Sequence, residues 1–262
     1  MLRRLLPTAA LLAVVLAACG GPSTPAIEDP TEIISQGLQA TSEADSFHLD
    51  LTVSGNLTMP QTGGSFELDG TQASGDFDLA NKLGHLTFEV PAIFNLSGEV
   101  LQIGTDSYLK TSVTGDSWSH STVPDSGQLP TDSGQLPTDP DAVLDGLQEF
   151  LGRDGVETEK LPDVSCGDGT CYAVRLTIPA SLLADAGSQA GVDPSQLVGD
   201  ELVLNMQFDR ENLHLTQLSS DLDAGELGTF GVLLTFSNYG EPVEVSPPPS
   251  DQVTEGTPQL PF

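Results

Sequence analysis

The sequence predicts an α+β domain in which a curved antiparallel sheet buries one face against a few amphipathic helices. Three observations predict it. Short segments alternate apolar and polar residues with period two. Glycines at 55, 70, 75, 84, 98 and 104 punctuate them as turns, bulges and bends do. Helical periodicity interrupts the strands in three places without alternating with them. Several extended segments arrive before the second helical stretch, so the order is that of a meander and not of βαβ units. Roughly 210 residues take part, enough for a sizeable core.

From Gly20 to Pro30 the chain is largely Gly, Pro, Ser and Thr, the composition of a flexible spacer. Asp29-Pro30-Thr31-Glu32 then offers an N-cap, a proline at the first helical position and an acid in the first turn. Ile33, Ile34, Leu38 and Ala44 follow at near-helical spacing, which predicts a helix over about 30–44. Next, Phe47, Leu49, Leu51 and Val53 share one face of a half-buried strand, with His48, Asp50, Thr52 and Ser54 on the other. Further strands are read over 65–69, 75–79, 83–90, 100–105 and 107–113. Residues 125–131 and 132–138 both spell Asp-Ser-Gly-Gln-Leu-Pro-Thr. Two copies are too few for a solenoid, and their polar, Gly- and Pro-rich composition predicts a surface loop. Asp139-Pro140-Asp141 opens a second helix whose Val143, Leu144, Leu147, Phe150 and Leu151 form an apolar stripe. Strands over 156–164 and 172–178 precede a third, short helix over 179–186 with Leu182 and Leu183. Sheet resumes with Leu202, Leu204, Met206 and Phe208, then Leu213, Leu215 and Leu218, then 230–236.

Residues 1–18 read as an export signal. Arg3 and Arg4 form the basic region, Leu5 to Val15 the apolar region, and small residues precede Cys19. The apolar run is too short to span a bilayer, which takes roughly 20 apolar residues. Leu16-Ala17-Ala18-Cys19, followed by Gly20 and Gly21, resembles the bacterial lipobox. That resemblance implies cleavage before Cys19 and fatty acylation, palmitate included, with enough chains for a stable anchor. The chain thus divides into a signal over 1–18, a tether over 19–29, one domain over 30–245 and a Pro-rich, extended and partly disordered tail over 246–262.

Without Arg3 and Arg4, six Lys and Arg stand against 38 Asp and Glu, a formal charge of about −32. Such a surface repels phosphate backbones and anionic headgroups, which argues against nucleic-acid partners and polybasic membrane docking. Cys166 and Cys171 flank Gly-Asp-Gly in a predicted hairpin, and in an exported protein they read as a structural disulfide, with a redox motif and a metal site as the competing readings. The spacing is not Cys-x-x-Cys, and no second Cys or His pair lies nearby. Closing so small a loop stabilises by about 2 kcal/mol.

Catalysis finds little support. His48, His85, His120 and His214 are scattered with no i, i+4 pair, and neither a Gly-x-Ser-x-Gly elbow nor a phosphate-binding glycine loop is present. The spacing of Asp139, Asp141 and Asp145 does not fit an EF-hand. No enzymatic activity, metal or cofactor is expected. Trp118 and Tyr108 are read as covers of the sheet edge or core, or as lining of a mouth.

Ser46-Phe47-His48-Leu49-Asp50-Leu51-Thr52-Val53, the stretch from Gly104-Thr105-Asp106-Ser107-Tyr108-Leu109-Lys110 to Trp118, Asp139-Pro140-Asp141-Ala142-Val143-Leu144, and Leu234-Thr235-Phe236-Ser237-Asn238-Tyr239-Gly240-Glu241-Pro242-Val243 together resemble the LppX/LprAFG lipoprotein family over roughly 45–245. The resemblance implies a half-barrel of antiparallel strands with helices over its concave side, related to the LolA and LolB carriers. It further implies an apolar cavity for a lipid or lipoglycan, an envelope transporter as partner, and a place on the outer face of the cell membrane. Candidate cavity lining is Phe47, Leu49, Leu51, Phe88, Phe94, Ile103, Leu144, Leu147, Phe150, Leu182 and Leu183. Two functions compete: a tethered lipid carrier, and an envelope signalling or accessory lipoprotein that uses the same fold to bind a protein partner.

Overall fold

A computed structural model describes residues 26–59, 64–122, 147–148, 150–167, 169–187 and 199–256. The signal, Cys19, the duplicated loop and Leu144 lie outside them. The first element is α1 (Pro30–Ser42). The carboxylate of Asp29 accepts from the amides of Thr31 at 2.8 Å and Glu32 at 3.4 Å, and Pro30 sits where a missing N–H costs nothing. Ile33, Ile34 and Leu38 are fully buried on one side of the helix.

Strands β1 (Ser46–Met59), β2 (Gly64–Glu67), β3 (Thr71–Asp78), β4 (Leu83–Val90), β5 (Leu96–Ile103), β6 (Asp106–Thr111) and β7 (Trp118–Thr122) follow as a meander. Residues 147, 148 and 150 are helical. Then come β8 (Glu157–Cys166), β9 (Gly169–Pro179), α2 (Ala180–Gly187), β10 (Glu201–Asp209), β11 (Leu215–Asp223), β12 (Thr229–Ser237) and β13 (Val253–Glu255). They form one 13-stranded sheet in the order β13-β7-β6-β5-β4-β3-β1-β12-β11-β10-β9-β8, with β2 paired to β1. The sheet is curved and open, a half-barrel whose edges are β13 and β8. The two meanders join where β1 lies against β12, in register from His48 opposite Ser237 to Gly55 opposite Phe230.

Two strands differ from the sequence reading. Trp-Ser-His-Ser-Thr in β7 has a single apolar side chain and therefore no alternation to detect; its place comes from backbone pairing with β6. The segment read as a tail contains β13, which pairs parallel to β7 with Val253 opposite Trp118.

The core lies between α1 and the C-terminal half of the sheet. Ile33, Ile34 and Leu38 pack with Tyr172, Val174, Leu176 and Ile178 of β9, Leu204, Met206 and Phe208 of β10, Leu215 of β11 and Leu183 of α2. Contact here is close enough that a Cβ on Gly37 would stand 2.3 Å from the Phe208 ring, so only glycine lets α1 settle on β10. Where β10 and β11 shift register beside Phe208, the backbone of Leu215 is served by side chains. Its amide donates to Thr41 Oγ1 at 2.9 Å, and its carbonyl accepts from the Tyr239 hydroxyl at 2.5 Å. Thr41 in turn donates to the carbonyl of Gly37 at 2.7 Å. Cys166 and Cys171 form a disulfide across the β8–β9 hairpin, with Cα atoms 5.8 Å apart.

Thr41→Val keeps the shape but strands a buried amide, so it should lower unfolding free energy by about 1–3 kcal/mol in urea titrations, whereas Thr41→Ser should lose less than half of that.

Candidate functional site

Pairing register decides which side chains share the helix-bearing, inner face. Opposite Leu49, Leu51 and Val53 stand Gly75, Ala73 and Thr71 on β3 and Phe236, Leu234 and Val232 on β12. The row continues through Leu86 and Phe88 on β4, Val100 and Gly98 on β5, and Leu109 on β6. In the other direction it continues through Leu218 and Met206 to Val174 on β9. The inner face is therefore one apolar band from β6 to β9.

Its two halves differ in cover. On β9 and β10 the inward residues are buried under α1 and α2, with Leu147, Phe150, Leu151 and Leu182 packed around them. Among the described residues Leu51 and Val53 of β1, Leu86 and Phe88 of β4, Val100 of β5 and Leu234 of β12 point inward and are only half-buried. The packing of α1 falls on β8 to β11 and that of α2 on β9. Phe88 lies flat across β5: a Cβ on Gly98 would stand 2.4 Å from its ring, so this glycine keeps the trough floor smooth. At the opposite end Phe47 stacks on Phe77 with centroids 5.5 Å apart and contacts Phe236 and Tyr239, closing the trough with rings.

The predicted lining residues separate accordingly. Phe47, Leu49, Leu51 and Phe88 lie on the inner face; Leu147, Phe150, Leu182 and Leu183 belong to the packed cover beside it. Two are corrected. Ile103 pairs with Leu83 and faces outward, because β5 carries apolar residues at consecutive positions and only its partners settle which face is inner. Phe94 stands in the turn after β4 and is 94 % exposed. Sequence reasoning missed Leu86, Val100, Leu109, Val232 and Leu234, although the alternation in their own segments was the available signal.

The charged side chains of β1, β3, β4 and β5 lie on the outer face. A concavity of about 620 Å³ is lined by Leu51, Ala73, Phe88 and Gly98 of the inner row and by Asp50, Gln72, Ser74, Glu89, Glu99 and Lys110, which alternate with them. Lys110 Nζ bonds Glu99 at 2.8 Å and sits 4.4 Å above the ring of the buried Trp118. Burial would raise the Glu99 pKa, but Lys110 and His85 outweigh it and hold the carboxyl below its ordinary value. Ser74 Oγ, His48 and Asp76 lie in line at 3.3 and 2.7 Å, the order of a hydrolytic triad. Two features argue against that role. Asp50 sits 3.4 Å from the same His48 Nε2, and although burial opposes it, Asp76 and Asp50 hold the imidazole pKa above its ordinary value, which favours a cation over a base. Ser74 is also paired on both sides within the sheet, so its own amide is committed and cannot serve as an oxyanion donor. Among the described residues the one group with metal-ligand geometry, Cys166, Cys171 and Asp209, has both sulfurs in the disulfide.

The C-terminal segment is fastened to this face. His120 bonds Asp106 at 2.9 Å and Glu255 of β13 at 3.0 Å, and stacks on Tyr108 at 4.9 Å. Thr254 Oγ1 donates to the Trp118 carbonyl at 3.0 Å.

The chain matches no protein-family model and no curated protein. Its fold is that of two solved mycobacterial proteins. Lipoprotein LppX of Mycobacterium tuberculosis aligns with a TM-score of 0.53 and 19% identity, over 84% of this chain and 100% of the other. LprF of Mycobacterium bovis aligns with a TM-score of 0.52 and 19% identity, over 84% and 96%. The protein thus has the LppX/LprF half-barrel fold, as its sequence resemblance implied. Among the described residues no helix is long and apolar enough to cross a membrane.

Asp106 and then Glu255 raise the pKa of His120, so this contact contributes fully below pH 6.5, the ordinary histidine value, and is lost as pH rises through the higher folded value. The His120 imidazole should titrate above 6.5 by NMR, and Glu255→Gln should move its midpoint down.

Proposed function

We propose that this protein is a lipoprotein anchored on the outer face of the cell membrane through Cys19, and that it carries a lipid or lipoglycan whose acyl chains lie in the half-buried inner trough. One observation carries the reading: the same apolar band that is buried under α1 continues across β12, β1, β4 and β5, where its side chains are only half-buried among the described residues. A soluble domain gains nothing by presenting such a band to water, and each methylene of a ligand buried there contributes about 0.8 kcal/mol. Hydrocarbon has no directional demands, so a trough of Leu, Val and Phe with no inward charge among the described residues suits acyl chains better than a polar substrate. Residues Leu51, Leu86, Phe88, Val100 and Leu234 make the proposed contact, with Phe47 and Phe77 as the closed end. The fold of LppX and LprF supports this reading.

Native mass spectrometry with lipid extraction, on the chain from residue 20 onward, tests it. Diacyl or larger lipid should survive purification, and Leu51→Asp with Phe88→Asp should reduce occupancy at least tenfold. A clean apo mass with no uptake of added lipid would overturn the reading and favour a protein partner instead. In cells, Cys19→Ser should remove the acyl mass and release the protein from the membrane fraction.

A further inference from the structure

Four large apolar side chains among the described residues are exposed: Ile93 at 39 %, Phe94 at 94 %, Val113 at 54 % and Leu233 at 38 %. Three of them fall in two turns at one end of the sheet. Residues 91–95 connect β4 to β5, and 112–117 connect β6 to β7; because β5 pairs with both β4 and β6, the two turns are neighbours. Ser112 ties them together, its amide donating to the Ser97 carbonyl at 2.7 Å and its hydroxyl accepting from the Ser97 amide at 3.2 Å.

This tip is built, not frayed. Ile93 N bonds Val90 O at 3.1 Å, Asn95 N bonds Pro91 O at 3.1 Å and Leu96 N bonds Ile93 O at 2.8 Å. Phe94 and Asn95 both adopt left-handed backbone, at φ 51° and 54°. For a bulky aromatic that conformation is strained, and here it holds the ring out in water. Strain and exposure together point to a use for the ring outside the fold.

The charge pattern says which use. In a chain with 38 acidic residues, Val90 to Gly98 carries no charge, and Asp116 is the single charge in the two turns. The net charge of the chain repels an anionic bilayer, and the two turns add only Asp116 to that repulsion. It is also continuous with the trough, since Val90 and Leu96, which bracket the turn, pair with each other on the inner face beside Phe88 and Gly98. Exposed aromatic and aliphatic side chains on an uncharged loop match the interfacial zone of a bilayer.

We propose that the 91–95 turn, with Val113 beside it, is a membrane-contact tip: Phe94 and Ile93 enter the interface of a lipid surface and bring the open end of the trough against it. This inference goes beyond the carrier reading and stands without it, because a lipid surface is recognised by the tip whether or not the trough holds a ligand.

The test uses the chain from residue 20 onward, which keeps every described residue, with Phe94→Trp as reporter; Trp118, the one native tryptophan, is buried and supplies a constant background. On adding phosphatidylcholine vesicles, emission from the reporter indole should shift to the blue and be quenched by spin-labelled lipid. Co-flotation with the vesicles should fall at least tenfold in Ile93→Ser with Phe94→Ser, and should be weaker on phosphatidylglycerol-containing vesicles at low salt. Unchanged emission with every vesicle composition, or flotation indifferent to the serine variant, would overturn the proposal. Concentration-dependent self-association abolished by Phe94→Ser, without flotation, would overturn it in favour of a second copy. Lipid uptake from detergent solution by the serine variant keeps the readings apart: uptake retained while flotation is lost supports the tip, and uptake absent from both proteins counts against the trough alone.

Discussion

Burial of one apolar face is the constraint on which the rest of this structure depends. Period-two alternation aligned across β1, β3 to β6 and β9 to β12 leaves a broad apolar band, and among the described residues a 13-residue helix with short companions packs on its C-terminal part. Core and trough are therefore parts of one surface. The residue types hardly differ: Leu204, Met206 and Phe208 under the helix are buried, while Leu86 and Phe88 on the same face are half-buried.

The joint between the halves is the pairing of β1 with β12, two strands separated by most of the chain. Contacts of such sequence separation form late and at entropic cost, so the packing at α1 that organises the C-terminal meander has to be secure. Leu215 shows how it is secured. Its two backbone groups, released by the register shift in β11, are taken up by Thr41 from the helix and Tyr239 from the chain beyond β12. Burial raises the Tyr239 pKa, which keeps the hydroxyl a donor.

The outer face answers a different demand. With so few Lys and Arg, three of its imidazoles and Lys110 stand among carboxylates: His48 with Asp76, His85 and Lys110 with Glu99, and His120 with Asp106 and Glu255. Exposed pairs of this sort contribute little stability individually. Their effect is local: they ease repulsion across neighbouring acidic strands and, at His120, fix the last strand to the sheet.

How much was legible follows from which forces are local. Capping chemistry at Asp29-Pro30, the alternation in β1 and β10, and the glycine-bracketed hairpin at Cys166 and Cys171 are set by neighbours in sequence, and the sequence by itself determined them. It also determined that Phe47, Leu49 and Leu51 share one face of β1, because that segment alternates; pairing through β3 is what places Phe88 with them. What only the tertiary structure decided rests on partners far along the chain. Ile103 faces outward because β4 and β6 set the register of a strand that is apolar at consecutive positions; Phe94 projects into water because its turn takes left-handed backbone; β7 and β13 exist because their backbones find each other. Above all, whether an apolar face becomes core or trough depends on where a helix lands, and side-chain period carries no information about that.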